Sequence, residues 1–137
     1  MEPAYRVEYC IEGAYIPQRI TLDPELTLLQ SVQRANPGVS EQHLRDQLAR
    51  LLFRRESVHQ RIGDLSGGER FRAAVAQVLL ADPVPQLLML DEPTNNLDIS
   101  SVDWLVQVLE AYTGALIVVS HDEDFCRRIR IDRTLAL

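Results

Sequence analysis

Two short apolar runs constrain the fold of this 137-residue chain more than any other feature. Residues 87–90 and 115–119 are uninterrupted by polar side chains and are bounded by turn signals, a pattern typical of buried parallel strands. Between them an apolar stripe predicts a helix over residues 99–112, formed by Val102, Leu105, Val106 and Leu109. The alternation of strand and helix favours an α/β fold with a parallel sheet.

The first half of the chain predicts strands followed by helices. Residues 5–16 are rich in β-forming side chains and predict one or two strands. Thr27 and Gln30 have capping-box spacing and predict a short helix that stops at residues 36–38. Ser40 is positioned to cap a second helix, whose apolar stripe contains Leu44, Leu48, Leu51 and Leu52.

A third helix is predicted to begin at a glycine-rich turn, Ser66-Gly67-Gly68-Glu69. Its apolar stripe contains Phe71, Ala74, Val75, Val78 and Leu79. A helix N-terminus attracts anions through free N–H groups and the helix dipole, and glycines let a phosphate approach the backbone. The alternative for this turn alone is a well-capped helix without a ligand.

The basic residues exclude one kind of nucleotide site. All 14 are arginines, so the chain cannot contain the lysine of a G-x-x-x-x-G-K-[ST] phosphate-binding loop. The 46% hydrophobic content suits one domain. No apolar run is long enough for a membrane span, and the first residues do not predict a signal peptide. Two cysteines make no disulfide framework, so a reducing cytoplasm is the expected compartment.

Acidic side chains follow the first of the two apolar runs. Asp91 and Glu92 come directly after residues 87–90, at the end of a parallel strand where open α/β sheets bind ligands. One carboxylate there could hold Mg²⁺, and its neighbour could orient or deprotonate a water for attack on a phosphate. The alternative is a solvated acidic turn.

A histidine follows the second apolar run. His121 stands between Ser120 and Asp122, just after residues 115–119. At that edge of the sheet it could hydrogen-bond a terminal phosphate. A surface-loop histidine is the alternative, and Gln18, taken singly, is a loop glutamine.

The order of these elements resembles that of ATP-binding cassette (ABC) ATPases. Gln18 resembles the Q-loop glutamine of that family, and residues 65–69 resemble its signature motif. Residues 87–94 are similar to the Walker B strand with its catalytic glutamate. Residues 96–98 are similar to the D-loop, and His121 resembles the histidine of the H-switch. The resemblance implies an incomplete P-loop NTPase-like domain, without the nucleotide-stacking aromatic and the Walker A loop. It divides the chain into core strands and Q-loop (1–24), a helical subdomain (25–64) and the remaining core (65–137).

Within that family the chain resembles the ABC-F class most. The similar segments are residues 15–18, 92–98, 110–114 and 120–125, whereas Asn96 and Glu123 depart from residues common in that class. The resemblance implies two cassettes on one chain, no membrane domain and action on ribosomes. Two alternatives stay open: the ATP-binding subunit of a membrane transporter, and a non-catalytic remnant.

The resemblance also implies a role for each candidate residue, with ATP and Mg²⁺ as cofactors. Asp91 would bind Mg²⁺ through water, Glu92 would polarise the attacking water, and His121 would contact the γ-phosphate. Gln18 would complete the shell around the Mg²⁺ and the water. Ser66, Gly67, Gly68 and Glu69 would hold a nucleotide bound to a second cassette, and Asp98 would lie between the cassettes.

Overall fold

The computed structural model describes residues 13–16 and 22–136. Three strands and five α-helices are found there, in the order β1 (Gly13–Ile16), α1 (Leu28–Ala35), α2 (Glu41–Arg50), α3 (Gly67–Leu79), β2 (Leu87–Asp91), α4 (Ile99–Ala111), β3 (Ala115–Val119) and α5 (Glu123–Arg128). Two 3₁₀ turns, Ser57–His59 and Ile62–Asp64, precede α3. Residues 5–12 of the predicted N-terminal strands lie outside the described residues.

The sheet has the order β1-β2-β3, and both strand pairs are parallel. This confirms the parallel α/β fold. Residue 16 pairs with residue 90, which pairs with residue 118, so Ile16, Leu90 and Val118 share one face. That face packs on the helices, and Ile16 and Leu90 are buried.

Helix α3 lies between two hydrophobic cores. Its Val75 packs with Leu88, Leu105 and Phe125 in the core beneath the sheet. Its Ala73 and Ala76 pack in a second core, which contains Leu28, Leu29, Val32, Leu44, Leu48, Val58, Ile62 and Leu65. Helix α3 is therefore held by both cores, and the turn at its N-terminus is fixed relative to the sheet and to the helical segment before it.

The predicted helix starts are confirmed by their capping bonds. Thr27 and Gln30 make both bonds of a capping box, and Ser40 Oγ accepts a hydrogen bond from the backbone N–H of His43. One detail of the second helix was predicted wrongly: α2 ends at Arg50, and Leu52 lies outside it, exposed, with φ 65°. The chain turns there through the hydrogen bonds of a Schellman motif, in which Leu52 N–H donates to Ala49 O and Phe53 N–H donates to Leu48 O. Phe53 then packs edge-on against Trp104, with ring centroids 5.8 Å apart.

Strand β3 is not buried on both faces, contrary to the expectation from its unbroken apolar run. Ile117 and Val119 are each 52% exposed, and Tyr15, on the same face of the sheet, is 53% exposed. Among the described residues β3 pairs only with β2. The sequence of β3 is therefore typical of a strand covered on both faces, whereas the described residues cover one face.

We expect the isolated chain to self-associate or to be only marginally folded, because this apolar face is open. At roughly 25 cal/mol per Å², covering a few hundred Å² contributes several kcal/mol, comparable with the stability of a domain. Analytical ultracentrifugation tests this, with Ile117→Lys as a variant expected to reduce association. A compact wild-type monomer at high concentration that unfolds sharply above about 65 °C would contradict the expectation.

Among the described residues, no helix combines the length and the apolar character that crossing a lipid bilayer requires.

Candidate functional site

The predicted carboxylate pair lies at the carboxyl end of β2. Asp91 is the last residue of the strand, and the backbone N–H of Glu92 donates to Val119 O at 2.7 Å. Glu92 has φ 44°, in the left-handed region that only glycine adopts without cost. Such backbone strain is typical of functional sites and costs about 1–3 kcal/mol. The turn holds the Glu92 carboxylate at the edge of the sheet, against the loop after β3.

His121 meets Glu92 across the ends of the two strands. Its Nε2 lies 3.3 Å from Glu92 Oε1, which brings together two residues that the sequence places 29 positions apart. The imidazole is 97% exposed, whereas the Glu92 side chain is 16% exposed. Glu92 is thus held in place by its surroundings, and the histidine has room to turn toward a ligand at the same edge.

Tyr15 also lies at this site, although the sequence alone does not indicate a role for it. Its hydroxyl donates a hydrogen bond to Asp91 Oδ2 at 3.1 Å. This bond, together with partial desolvation and the charge of the carboxylate, raises the pKa of Tyr15. The parallel register explains the contact, since Tyr15 pairs with Met89 and therefore shares a face with Asp91. Strand alternation in 13–16 was the signal that could have revealed it.

The donor set of this edge fits Mg²⁺ only if a substrate completes it. The described residues contain no group of three or more His, Cys, Asp or Glu side chains that could hold a metal ion by themselves. Mg²⁺, however, is usually held by one or two carboxylates together with substrate phosphates and water. Asp91 supplies such an oxygen ligand, and Gln18, the other predicted ligand, lies outside the described residues.

A second group of candidate residues forms the signature turn, defined as Ser66, Gly67, Gly68 and Glu69. Ser66 is the N-cap of α3, and its Oγ accepts from the backbone N–H of Glu69 at 3.2 Å. The N–H groups of the two glycines lie in the first turn of the helix, where no intrahelical acceptor exists. The turn therefore has the local structure that the sequence predicted for an anion site.

The two glycines differ in what a side chain would meet. A Cβ at Gly67 would have no atom within 4 Å, whereas a Cβ at Gly68 would lie 2.4 Å from Asp98 Oδ1 and 2.5 Å from Ser101 Oγ. Gly67 thus fits the prediction that glycine leaves space for a ligand. Gly68 is buried against the chain itself, so glycine is also required there for packing.

Asp98 lies beside the signature turn at the N-terminus of α4. Its carboxylate caps the helix, accepting from the backbone N–H of Ser101, and it also accepts from the hydroxyls of Ser100 and Ser101. The Ser100 bond, followed by the Ser101 bond, lowers the pKa of Asp98 to about 2. Asp98 is consequently ionised across the whole physiological pH range.

Asn96, one of the two departures from the ABC-F pattern, has a local explanation. Its φ is 60°, in the left-handed region, and asparagine is among the side chains that adopt this conformation most readily. The turn before Asp98 therefore keeps its shape with asparagine at this position.

The candidate residues thus form two groups. Asp91, Glu92 and His121 meet at the carboxyl edge of the sheet, and the signature turn meets Asp98 at the start of α4. A cleft of about 640 Å³ runs beside the second group, and its other wall contains Leu52, Phe53, Arg54, Ser57 and Gln60.

Comparison with known proteins identifies the family to which this chain belongs. The sequence profile described as ABC transporter matches residues 7–95. The mouse protein named ATP-binding cassette sub-family F member 3 is 38% identical over 108 residues, which is 79% of this chain and 15% of that protein. The match therefore spans about a seventh of the length of that relative.

Two solved structures share the fold. A complex of the archaeal ribosomal stalk protein aP1 with the ribosome recycling factor aABCE1 matches with a TM-score of 0.70 and 26% identity, covering 94% of this chain and 26% of that chain. The dimeric structure of MJ0796, titled a bacterial ABC transporter cassette, matches with a TM-score of 0.67 and 24% identity, covering 83% of this chain and 54% of that chain. The chain belongs to the ATP-binding cassette family, and its relatives include members of sub-family F.

Proposed function

We propose that this chain supplies the hydrolytic edge of an Mg²⁺-dependent ATPase cassette in a cytoplasmic ABC-F protein that acts on ribosomes. The main support for ATP hydrolysis is the contact between Glu92 and His121 beside Asp91, at the carboxyl end of parallel strands. The sub-family F relative supports the class, and the likeness to a ribosome recycling factor supports the ribosomal partner.

Each residue of the edge has a distinct task in hydrolysis. Glu92, fixed by the strained turn, accepts hydrogen bonds from the attacking water and orients it. His121 donates to the γ-phosphate and leaves Glu92 when that phosphate is bound. Asp91 and Gln18 would hold Mg²⁺, which neutralises charge developing on the phosphates. Tyr15 donates to one oxygen of Asp91, and the other oxygen would remain available to hold the ion.

The separation of the two groups supports action by two cassettes. The cleft beside the signature turn and Asp98 is not lined by Asp91, Glu92 or His121. We therefore place the nucleotide of this group on a second cassette, against Ser66 and the N–H groups of Gly67 and Gly68. ATP would then hold two cassettes together, and hydrolysis would release them. The dimeric cassette among the structural neighbours supports this arrangement.

The ATP-binding subunit of a membrane transporter is the second candidate, since another neighbour is titled a transporter cassette. Ribosome sedimentation separates the two functions. We expect the complete cassette protein, meaning this chain with the Walker A part that the resemblance implies, to co-sediment with ribosomes when ATP is present and Glu92 is replaced by glutamine. Absence from the ribosomal fractions, with recovery in a complex with a membrane protein, would favour the transporter.

We expect the 137-residue chain alone to show no measurable ATPase activity and at best very weak nucleotide binding. It contains no lysine, and so lacks the cradle of lysine and glycine-rich backbone that binds phosphates in P-loop enzymes. Isothermal titration calorimetry with Mg-ATP checks this, with Mg-ADP as the control ligand. A dissociation constant in the micromolar range would contradict the expectation and reveal another phosphate site.

A further inference from the structure

Arg72 connects the signature helix to the helix that follows Asp98. It lies one helical turn after Gly68 in α3, and it is half-buried. Its Nε donates to Ser101 Oγ at 3.2 Å, and its Nη2 donates to Ser100 Oγ at 3.0 Å. One side chain of α3 thus binds two consecutive residues in the first turn of α4.

The two serines pass this connection on to Asp98. Ser101 Oγ donates to Asp98 Oδ1 at 2.6 Å, and Ser100 Oγ donates to Asp98 Oδ2. The direction of each bond is fixed, because a guanidinium only donates and an ionised carboxylate only accepts. Each hydroxyl therefore accepts from Arg72 and donates to Asp98, so that three kinds of side chain form one connected network.

Direct packing supports the network at both of its ends, at Asp98 and at Arg72. Gly68 lies so close to Asp98 and Ser101 that a single added carbon would overlap both. On the other side, the Arg72 guanidinium lies over the ring of Trp104, 5.8 Å from its centroid. The indole Nε1–H of Trp104 donates to Leu51 O at 2.7 Å, at the end of α2. Arg72 is thus held at a point where α2, α3 and α4 meet.

We propose that Arg72 is a positioning residue which, through Ser100 and Ser101, makes the signature turn and the turn containing residues 96–98 a single rigid unit. This inference rests on the proposed function, in which both turns face the second cassette. The unit presents Ser66 and Asp98 to that cassette at a fixed separation. The sequence gives no sign of this role, since Arg72 appears there as a polar residue beside an apolar stripe.

Arg72→Lys in the complete cassette protein tests the proposal. A lysine ammonium carries all its donors on one nitrogen and so cannot reproduce the geometry in which two guanidinium nitrogens bind the two hydroxyls. Arg70→Lys is the matched control, because the Arg70 guanidinium donates to the nearby Leu65 O and, among the described residues, makes no hydrogen bond to α4. We expect Arg72→Lys to accelerate amide hydrogen exchange in residues 66–69 and 96–101 together, while residues 73–79 of α3 exchange as in the wild type.

Kinetics distinguish positioning from a general loss of structure. We expect Arg72→Lys to lower kcat about tenfold, within the range typical of coupling residues, with little change in KM for ATP. Ser101→Ala should have a similar effect, and the double variant should be no worse than either single variant, because all interrupt one network.

The proposal is overturned if Arg72→Lys matches Arg70→Lys in both hydrogen exchange and kcat, or if the two turns change exchange independently. A wild-type protein without ATPase activity would count against the proposed function alone, since the exchange measurement would still decide whether the two turns behave as one unit.

Discussion

Glu92→Gln is expected to abolish most ATP hydrolysis in the complete cassette protein while leaving ATP binding intact. The amide keeps the size of the side chain but cannot accept a proton from the attacking water. Loss of a general base typically costs about 10²–10⁴-fold in rate. The strained backbone at residue 92 (φ 44°) is unchanged, because glutamine has the same conformational preferences as glutamate. Steady-state phosphate release measures the effect.

Glu110→Gln is a matched control for that substitution. Glu110 is an exposed glutamate on α4, away from the sheet edge, and its replacement removes the same charge from the protein. We expect wild-type turnover from this variant. Wild-type turnover from Glu92→Gln itself would show that Glu92 is not the residue that activates water.

Gly68→Ala is expected to disrupt the signature turn far more than Gly67→Ala. The added carbon would lie 2.4 Å from Asp98 Oδ1 and 2.5 Å from Ser101 Oγ, so that the Asp98 carboxylate and the Ser101 hydroxyl must shift from their present positions. Overpacking of this kind costs about 1–3 kcal/mol. The network from Arg72 to Asp98 would be strained as well, and we expect hydrolysis by the complete cassette protein to fall at least tenfold.

Gly67→Ala distinguishes the packing role of a glycine from its role in letting a phosphate approach the backbone. A Cβ at this position has open space around it, and alanine favours a helix over glycine by up to about 1 kcal/mol. We therefore expect unchanged or slightly higher thermal stability, with activity lost only if a phosphate approaches that backbone. Thermal unfolding and ATPase rates of both variants measure this difference. Equal destabilisation by the two substitutions would contradict the account of Gly68.

Much of the fold could be predicted from the sequence because its signals are local. The apolar runs that became β2 and β3 and the capping residues Thr27, Ser40 and Ser66 each depend on neighbours a few positions away. The prediction failed for Leu52, which takes a left-handed conformation in the motif that ends the helix, although leucine is not a residue that favours this conformation. It also failed for β3, because no local pattern reveals which faces of a strand are covered.

The members of the candidate site could be predicted where their position directly after a strand is enough to place them. Asp91, Glu92 and His121 follow strands, and a parallel sheet brings the ends of its strands together. Tyr15 and Arg72 were missed because their roles depend on strand register and on the packing of two helices. Both contacts span many residues, 76 positions from Tyr15 to Asp91 and 29 from Arg72 to Ser101.

The nucleotide retained by the Glu92→Gln variant shows whether Glu92 activates water at the edge formed with Asp91 and His121. The complete cassette protein is incubated with Mg-ATP, freed of unbound nucleotide and denatured, and the released nucleotide is identified by chromatography. We expect intact ATP to be held by Glu92→Gln, and ADP or empty sites to be found in the wild type and in Glu110→Gln. Recovery of ADP from Glu92→Gln at the wild-type rate would contradict this expectation.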